Sequence, residues 1–262
     1  MHLLAVLLAS LLPGITSSLS VLLLGGSGFV GSAVLTELLE SGHSVTTASR
    51  SGAATSNPRH TSLKLDLTSP SALAELPPFD AYVHCVGVLF DSQSALSRLN
   101  KVASGSGSEP GGTYDQITAE TVKNLCDALP SPSPPSSSPP PLVFISAFEV
   151  GWPQVTGGSL LESLAPPFLR RYLSAKRRAE ATILSAPCSP HIMRPSIIYV
   201  PGAGDSKLTV NAFTALSFLP PVEKPIPLPL LARAVARACE GNGEGGVYGR
   251  EAMGVLGEET KM

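Results

Sequence analysis

Apolar positions along this chain follow two rhythms that alternate. Leu19–Leu24 and Ala81–Val88 are nearly all apolar, and Leu142–Ile145 is a shorter run of the same kind. Such runs predict strands buried on both faces of a parallel sheet. Ser44–Ala48 and Leu63–Leu65 add two more strands, and Ile192–Val200 adds another, broken by Arg194-Pro195. Between the strands the spacing becomes helical. Phe29–Leu39 sets Val30, Val34, Leu35, Leu38 and Leu39 on one side, with Gly42 just past the end as a stop. Thr118–Leu129, Leu169–Leu184 and Leu230–Cys239 are further predicted helices, the last with Leu231, Ala234, Val235 and Ala238 along one face. Strands alternating with helices predict an α/β domain on a parallel sheet.

That domain is predicted to occupy residues 18–250. Before it, Leu3–Leu12 is apolar and closed by Pro13-Gly14. A bilayer span needs about 20 residues, so residues 1–17 are read as a leader and no transmembrane span is expected. The leader has the length of a signal-peptide core but no Lys or Arg before it; the first arginine is Arg50. Residues 101–113 are rich in Gly and Ser, and 131–141 are nearly pure Ser and Pro. Both are expected to be solvated insertions, and 251–262 a tail.

Composition excludes several classes. Hydrophobic residues are 43% and charged residues 15%, values of a globular chain. The formal net charge is -2 and no basic block stands out, so no nucleic-acid partner is expected. The four cysteines form no CxxC, and neither a disulfide framework nor a metal site is expected.

The strongest chemical signal is Gly25-Gly26-Ser27-Gly28-Phe29-Val30-Gly31, a glycine-rich turn between a buried strand and an amphipathic helix. The early glycines permit a tight turn, Gly28 lets backbone approach a pyrophosphate, and Gly31 lets helix pack on strand. The free N–H groups of the helix start then favour phosphate. This context predicts a Rossmann-type doubly wound parallel sheet, with a small C-terminal substrate region, that binds a nicotinamide dinucleotide. Ser49 and Arg50 end the second strand, 19 positions beyond Gly31 in the case of Arg50. An NAD-binding chain usually carries a carboxylate there for the ribose hydroxyls. An arginine attracts a 2′-phosphate instead, so NADP is the expected cofactor and NAD the less favoured one. Asp66, after the third strand, reads equally as an adenine contact or a helix N-cap. Val86 and Gly87 end the fourth strand, where a small residue lets a cofactor pass.

Tyr172 and Lys176 form a YxxxK pair and share one helix face. An ammonium beside a phenol favours the phenolate, so Lys176 is expected to lower the Tyr172 pKa and prepare it for proton transfer. A serine at the end of the fifth strand would orient a carbonyl. Ser146 is the available hydroxyl, though a shift of one or two positions puts Ala147 or Phe148 there; it reads equally as a strand-end residue.

Gly25–Gly31, His84–Asp91, Tyr172–Lys176 and Arg194-Pro195-Ser196-Ile197-Ile198-Tyr199 together resemble short-chain dehydrogenase/reductases of the extended or atypical kind. Within these the chain is most similar to the mitochondrial coenzyme Q biosynthesis accessory proteins and, more distantly, to the nucleotide-binding accessory subunit of respiratory complex I. The resemblance implies Gly25, Gly28 and Gly31 at the pyrophosphate, Tyr172 and Lys176 near the nicotinamide, and Pro195 in the cofactor loop. It implies a mitochondrial protein on the matrix side of the inner membrane, partnered by complex subunits, and a quinone or other lipid-like substrate. The leader leaves a plastid or secretory route as the alternative. Two functions follow as expectations: an NADP(H)-dependent oxidoreductase or accessory factor of ubiquinone biosynthesis, or a non-catalytic assembly subunit that binds the cofactor. The short, proline-rich stretch Gly202–Pro229 leaves little surface for selecting a sugar nucleotide.

Overall fold

The first strand, β1 (Ser20–Leu24), carries the logic of the whole sheet. Val21 and Leu23 point to one face, Leu22 and Leu24 to the other, and all four are at most 2% exposed. A strand buried on both faces sits in the middle of a sheet with a layer on each side. The structure is a computed structural model that describes residues 18–52, 55–88, 90–93, 112–130, 138–202, 211, 214–219 and 221–258. The leader 1–17 and most of the two insertions lie outside the described residues.

Beside β1 run β2 (Ser44–Ser49), β3 (His60–Lys64), β4 (Ala81–His84), β5 (Pro141–Ile145) and β6 (Ser189–Met193). With β9 (Gly246–Tyr248) they form a seven-stranded parallel sheet of order β3-β2-β1-β4-β5-β6-β9. The chain leaves β1 for one edge and returns to β4 on its other side. That reversal opens a crevice at the strand ends, the place where such sheets receive ligands. One face is covered by α1 (Phe29–Glu40), α6 (Leu228–Cys239) and α7 (Arg250–Glu258), which pack on Val21, Leu23, Val83 and Val143. The other is covered by α2 (Pro70–Ala74), α3 (Thr121–Asp127) and α5 (Pro167–Leu184), on Leu22, Leu24, Leu142 and Phe144. The fold is the expected Rossmann-type α/β sheet.

Several elements differ from the sequence expectation, each for a local reason. The third strand begins at His60 rather than Leu63, and only partly buried side chains mark it, because it is a sheet edge. The fourth stops at His84; Cys85 still donates its N–H to the Leu24 carbonyl, but Val86–Val88 have left the ladder. The fifth starts on Pro141, inside the expected insertion, since a first strand position tolerates a missing N–H. Thr118–Leu129 is a wide π turn over Asp115–Glu120 followed by α3. Arg194-Pro195 splits the last apolar run into β6 and β7 (Ile198–Tyr199), which pairs with β8 (Ile226–Pro227) as a two-stranded sheet. Arg250–Glu258 was expected largely as tail; it is a helix whose Met253 and Leu256 are buried against α6.

The glycine turn follows β1 at the crevice. Gly25 has φ +83°, and a Cβ on it would meet the Cys85 and Val86 backbone at 3.0 Å. A Cβ on Gly31 would lie 2.1 Å from the Gly25 carbonyl oxygen, so α1 can start this close to the turn only without a side chain there. Gly31→Ala is expected to destabilise the fold by about 1–3 kcal/mol, the usual cost of overpacking. Urea unfolding would read it as a lower midpoint at unchanged slope; an unchanged midpoint would contradict the contact.

Candidate functional site

Five strand ends converge on the crevice, and each brings residues to it. After β1, Gly28 N–H donates to the Gly25 carbonyl at 3.0 Å and Gly28 serves as N-cap of α1. No side chain caps α1 and no acidic residue occupies its first turn, so the helix start itself does not repel an anion. Gly26 is buried against Thr47, Val30 packs on the core, and Ser27 and Phe29 are exposed at the rim. The turn leans on β2: Gly25 N–H donates to the Ala48 carbonyl at 3.2 Å. Ser49 follows, half-buried, and Arg50 is exposed with no carboxylate of β2 beside it.

Asp66 lies at the end of β3. Its Oδ1 accepts from the Thr68 N–H at 3.1 Å and the Thr68 hydroxyl at 2.8 Å. Those bonds, with Arg50 nearby, hold its carboxyl below the usual range. The N-cap of α2 is Ser69, not Asp66; the carboxylate instead closes the turn over Thr68 ahead of that helix.

After β4, Val86 packs on the core and Gly87 faces α5: a Cβ at Gly87 would come 3.8 Å from the Lys176 Nζ. Here the helix face becomes informative. Tyr172, Lys176 and Glu180 are spaced i, i+4 and i+8 along α5. Lys176 is buried, donates to the Ile145 carbonyl at 2.6 Å, and sits 4.6 Å from the centre of the Phe144 ring. Burial lowers its pKa to about 8. The Tyr172 ring centre is 5.7 Å from Nζ and meets Tyr114 edge-on at 5.5 Å. Burial, then Glu149 and Tyr114, raise the Tyr172 pKa above its ordinary value. The expected lowering by Lys176 is therefore overturned: the ammonium is spent on the Ile145 carbonyl and the phenol keeps its proton.

Ser146 is brought to the end of β5 as expected, and it is buried there. It donates to Glu180 Oε1 at 2.5 Å. Arg194 grips the same carboxylate with Nε at 3.0 Å and a terminal nitrogen at 2.5 Å. The result is a buried knot of serine, carboxylate and guanidinium that joins β5, α5 and the loop after β6. Removing one partner of such a pair strands a buried charge, at a cost of about 3–5 kcal/mol. Pro195 is buried in that loop, and its carbonyl accepts the Phe148 N–H at 2.9 Å.

Residues that pattern alone missed complete the surroundings. Glu180 was detectable as a charge on the buried face of an amphipathic helix. Glu149 lies in the first turn of a 3₁₀ segment, Phe148–Gln154, and burial raises the pKa of its carboxyl. Glu223 accepts the Arg250 N–H at 2.9 Å while its other oxygen has no partner, and burial pushes it up to about 7. Asp91 is buried and paired with Arg171 at 3.1 Å, which ties the loop after β4 to α5. Burial, then Lys176, push His84 down to about 3, so this ring stays neutral; its Nε2 lies 2.9 Å from the Thr121 hydroxyl.

Comparison with known proteins now has a fold and a crevice to refer to. Residues 21–209 match the NAD dependent epimerase/dehydratase family. The chain belongs to that family. No curated protein matches it. Among solved structures, the Bordetella bronchiseptica enzyme WbmH in complex with NAD+ superposes with a TM-score of 0.56 at 14% identity, over 89% of this chain and 76% of that one. The human epimerase family protein SDR39U1 with NADPH gives 0.50 at 20%, over 87% and 72%. The Lactococcus lactis oxidoreductase ylbE gives 0.56 at 14%, over 93% and 99%. These likenesses establish a shared fold for this family member.

The Lys176 environment has a pH signature. Its ordinary pKa is 10.5 and its folded value about 8. Between those values the unfolded chain binds a proton that the folded chain lacks, so stability rises with pH across about 8 to 10.5. Lys176→Met removes this contribution, and its stability relative to wild type should fall over the same window in urea titrations. Parallel curves would contradict the burial of the amine.

Proposed function

We propose that this chain holds NADP(H) in the Gly25–Gly31 turn as an accessory factor, and that it binds the nucleotide without turning it over. The observation that carries the second half is the Ser146 hydroxyl, which is donated to Glu180 rather than offered to the crevice. With that hydroxyl committed to Glu180, the strand end lacks the serine that would orient a carbonyl beside Tyr172. The cradle itself fits a dinucleotide. Its backbone approach is one that any Cβ at Gly31 would block, and its helix start is free of acid. Gly25, Gly26, Ser27 and Gly28 would face the diphosphate, Arg50 a 2′-phosphate, and Gly87 and Lys176 the nicotinamide ribose. The nicotinamide, when bound, supplies a carbon that accepts or donates hydride. Family membership and the NAD+ and NADPH bound in the two superposed enzymes support the cofactor class.

The biological setting in this reading is mitochondrial quinone synthesis or a respiratory complex, on the matrix side. It rests on the resemblance of His84–Asp91 and Arg194–Tyr199, whose Asp91 and Arg194 both pair with α5. A second reading, an NADP(H)-dependent oxidoreductase on a quinone or other lipid-like carbonyl, is favoured by one observation: Tyr172 and Lys176 do share a face beside Gly87.

Two measurements test these statements. NADPH should raise the melting temperature by mass action, and more than NADH at equal concentration. Arg50→Glu should weaken NADPH binding at least about tenfold while sparing NADH, as expected when a phosphate partner changes sign; tighter NADH binding by the wild type would remove the NADP assignment. NADPH consumption against a panel of quinones and carbonyls should stay at background for wild type and Tyr172→Phe alike. Turnover abolished by Tyr172→Phe would replace the accessory reading with the enzymatic one.

A further inference from the structure

Strand β8 and the residues just before it are tied to their surroundings mainly through backbone carbonyls. Trp152 Nε1, in the 3₁₀ segment, donates to the Pro221 carbonyl at 3.0 Å. The Ser196 hydroxyl, in the loop after β6, reaches the Glu223 and Lys224 carbonyls at 3.3 and 3.0 Å. Ile226 N–H donates to the Ile197 carbonyl at 2.9 Å, and Arg250 Nε of α7 donates to the Pro225 carbonyl at 3.3 Å. One side chain of the segment joins this set. Glu223 Oε1 accepts the Arg250 N–H at 2.9 Å, at the first residue of α7.

The other oxygen, Oε2, is buried with no hydrogen-bond partner among the described residues. A buried carboxylate oxygen without a donor is costly when it carries charge and far less so when it carries a proton. Because Oε1 accepts from Arg250, the proton of the neutral acid belongs on Oε2. The charges around the group do not rescue the ionised form. Glu149 of the 3₁₀ segment and Glu251 of α7 oppose it. Arg250 favours it, but its Nε is given to the Pro225 carbonyl. Arg194, in the loop after β6, is held by Glu180, and Lys224 is exposed. Burial, reinforced by Glu149 and Glu251, pushes the Glu223 carboxyl up to about 7.

We propose that Glu223 is a pH-operated latch: its neutral carboxyl clips residues 221–227 to the start of α7, and on ionising it turns out to water and frees the segment. The proton leaves Oε2 for solvent, and the Arg250 N–H loses its acceptor. No other group changes charge. The part released is the small sheet β7–β8, which follows the Arg194-Pro195 loop. The latch needs no nucleotide and stands apart from the function proposed above.

Trp152 is the chain's single tryptophan, and its bond to the Pro221 carbonyl makes it a reporter of the segment. Emission of the full chain without nucleotide, recorded from about pH 5 to 9 to bracket the carboxyl, should show one transition with a midpoint near 7. Glu223→Gln keeps an acceptor for the Arg250 N–H and cannot ionise. It should lose the transition and hold the low-pH spectrum throughout. Glu149→Gln removes an opposing charge and should move the midpoint to lower pH. Deuterium exchange of the peptide covering 221–227, corrected for intrinsic rate, should be faster above the midpoint than below it in wild type and equal in Glu223→Gln. Stability follows with a defined sign. Between the ordinary value of 4.5 and about 7 the folded chain binds a proton that the unfolded chain lacks. Wild-type stability therefore falls as pH rises through that window, and Glu223→Gln should become more stable relative to it. Flat wild-type emission overturns the latch, as does a transition that survives in Glu223→Gln, or exchange that is equal on both sides of the midpoint in wild type. Should Glu223→Gln not fold, a midpoint that Glu149→Gln leaves in place overturns it equally.

Discussion

Everything at the crevice depends on how closely α1 can start behind the turn that follows β1. The Gly25 carbonyl oxygen lies where a Cβ of residue 31 would have to be, at 2.1 Å. A side chain there would lift the helix start away from the strand end. With glycine, the helix begins on top of the turn, its uncapped amides beside the point where the strand order reverses. Backbone N–H groups and a helix start then converge on one spot without any charged side chain, which is what a diphosphate requires. The reverse side of the same turn presses on the backbone of Cys85 and Val86, so β1 and β4 are locked together at that end.

The second organising feature is the inward face of α5. Three polar residues one turn apart do three different things. Tyr172 packs edge-on against the buried Tyr114, Lys176 closes on the Ile145 carbonyl, and Glu180 gathers Ser146 and Arg194. A serine and a lysine of a catalytic type are thus drawn into holding β5 and the loop after β6. The cost of burying Lys176 and the carboxylate is offset by hydrogen bonds that leave the partners few alternative arrangements. Membership in the epimerase/dehydratase family thus sets the fold, while the site's own contacts carry any argument about activity.

Much of the fold was readable from pattern because burial on two faces leaves a continuous apolar run, as in β1, β4 and β5. Less was readable where that signal fades. The edge strand β3 presents polar residues to solvent, and β9 has three residues and exists because β6 offers an open edge. Helix α7 was hidden because its short apolar stripe acquires meaning only against α6. At the site, the glycine turn, the end of β2 and the Tyr172–Lys176 face could be named in advance. The direction of the Tyr172 pKa could not, because i and i+4 spacing sets a shared face but not which carbonyl an ammonium will choose.

The sequence by itself determined the parallel sheet, the position of the glycine turn and the absence of a carboxylate at the end of β2. These follow from side-chain size and charge at positions whose neighbours are local. Tertiary structure alone decided that Ser146 belongs to Glu180, that Lys176 serves the Ile145 carbonyl, and that the short helix α4 (Gly158–Leu164) leaves Leu160 and Leu164 exposed. In each case the deciding partner is distant in sequence or lies on another element, and a buried polar group takes whichever partner the packing brings within hydrogen-bond reach.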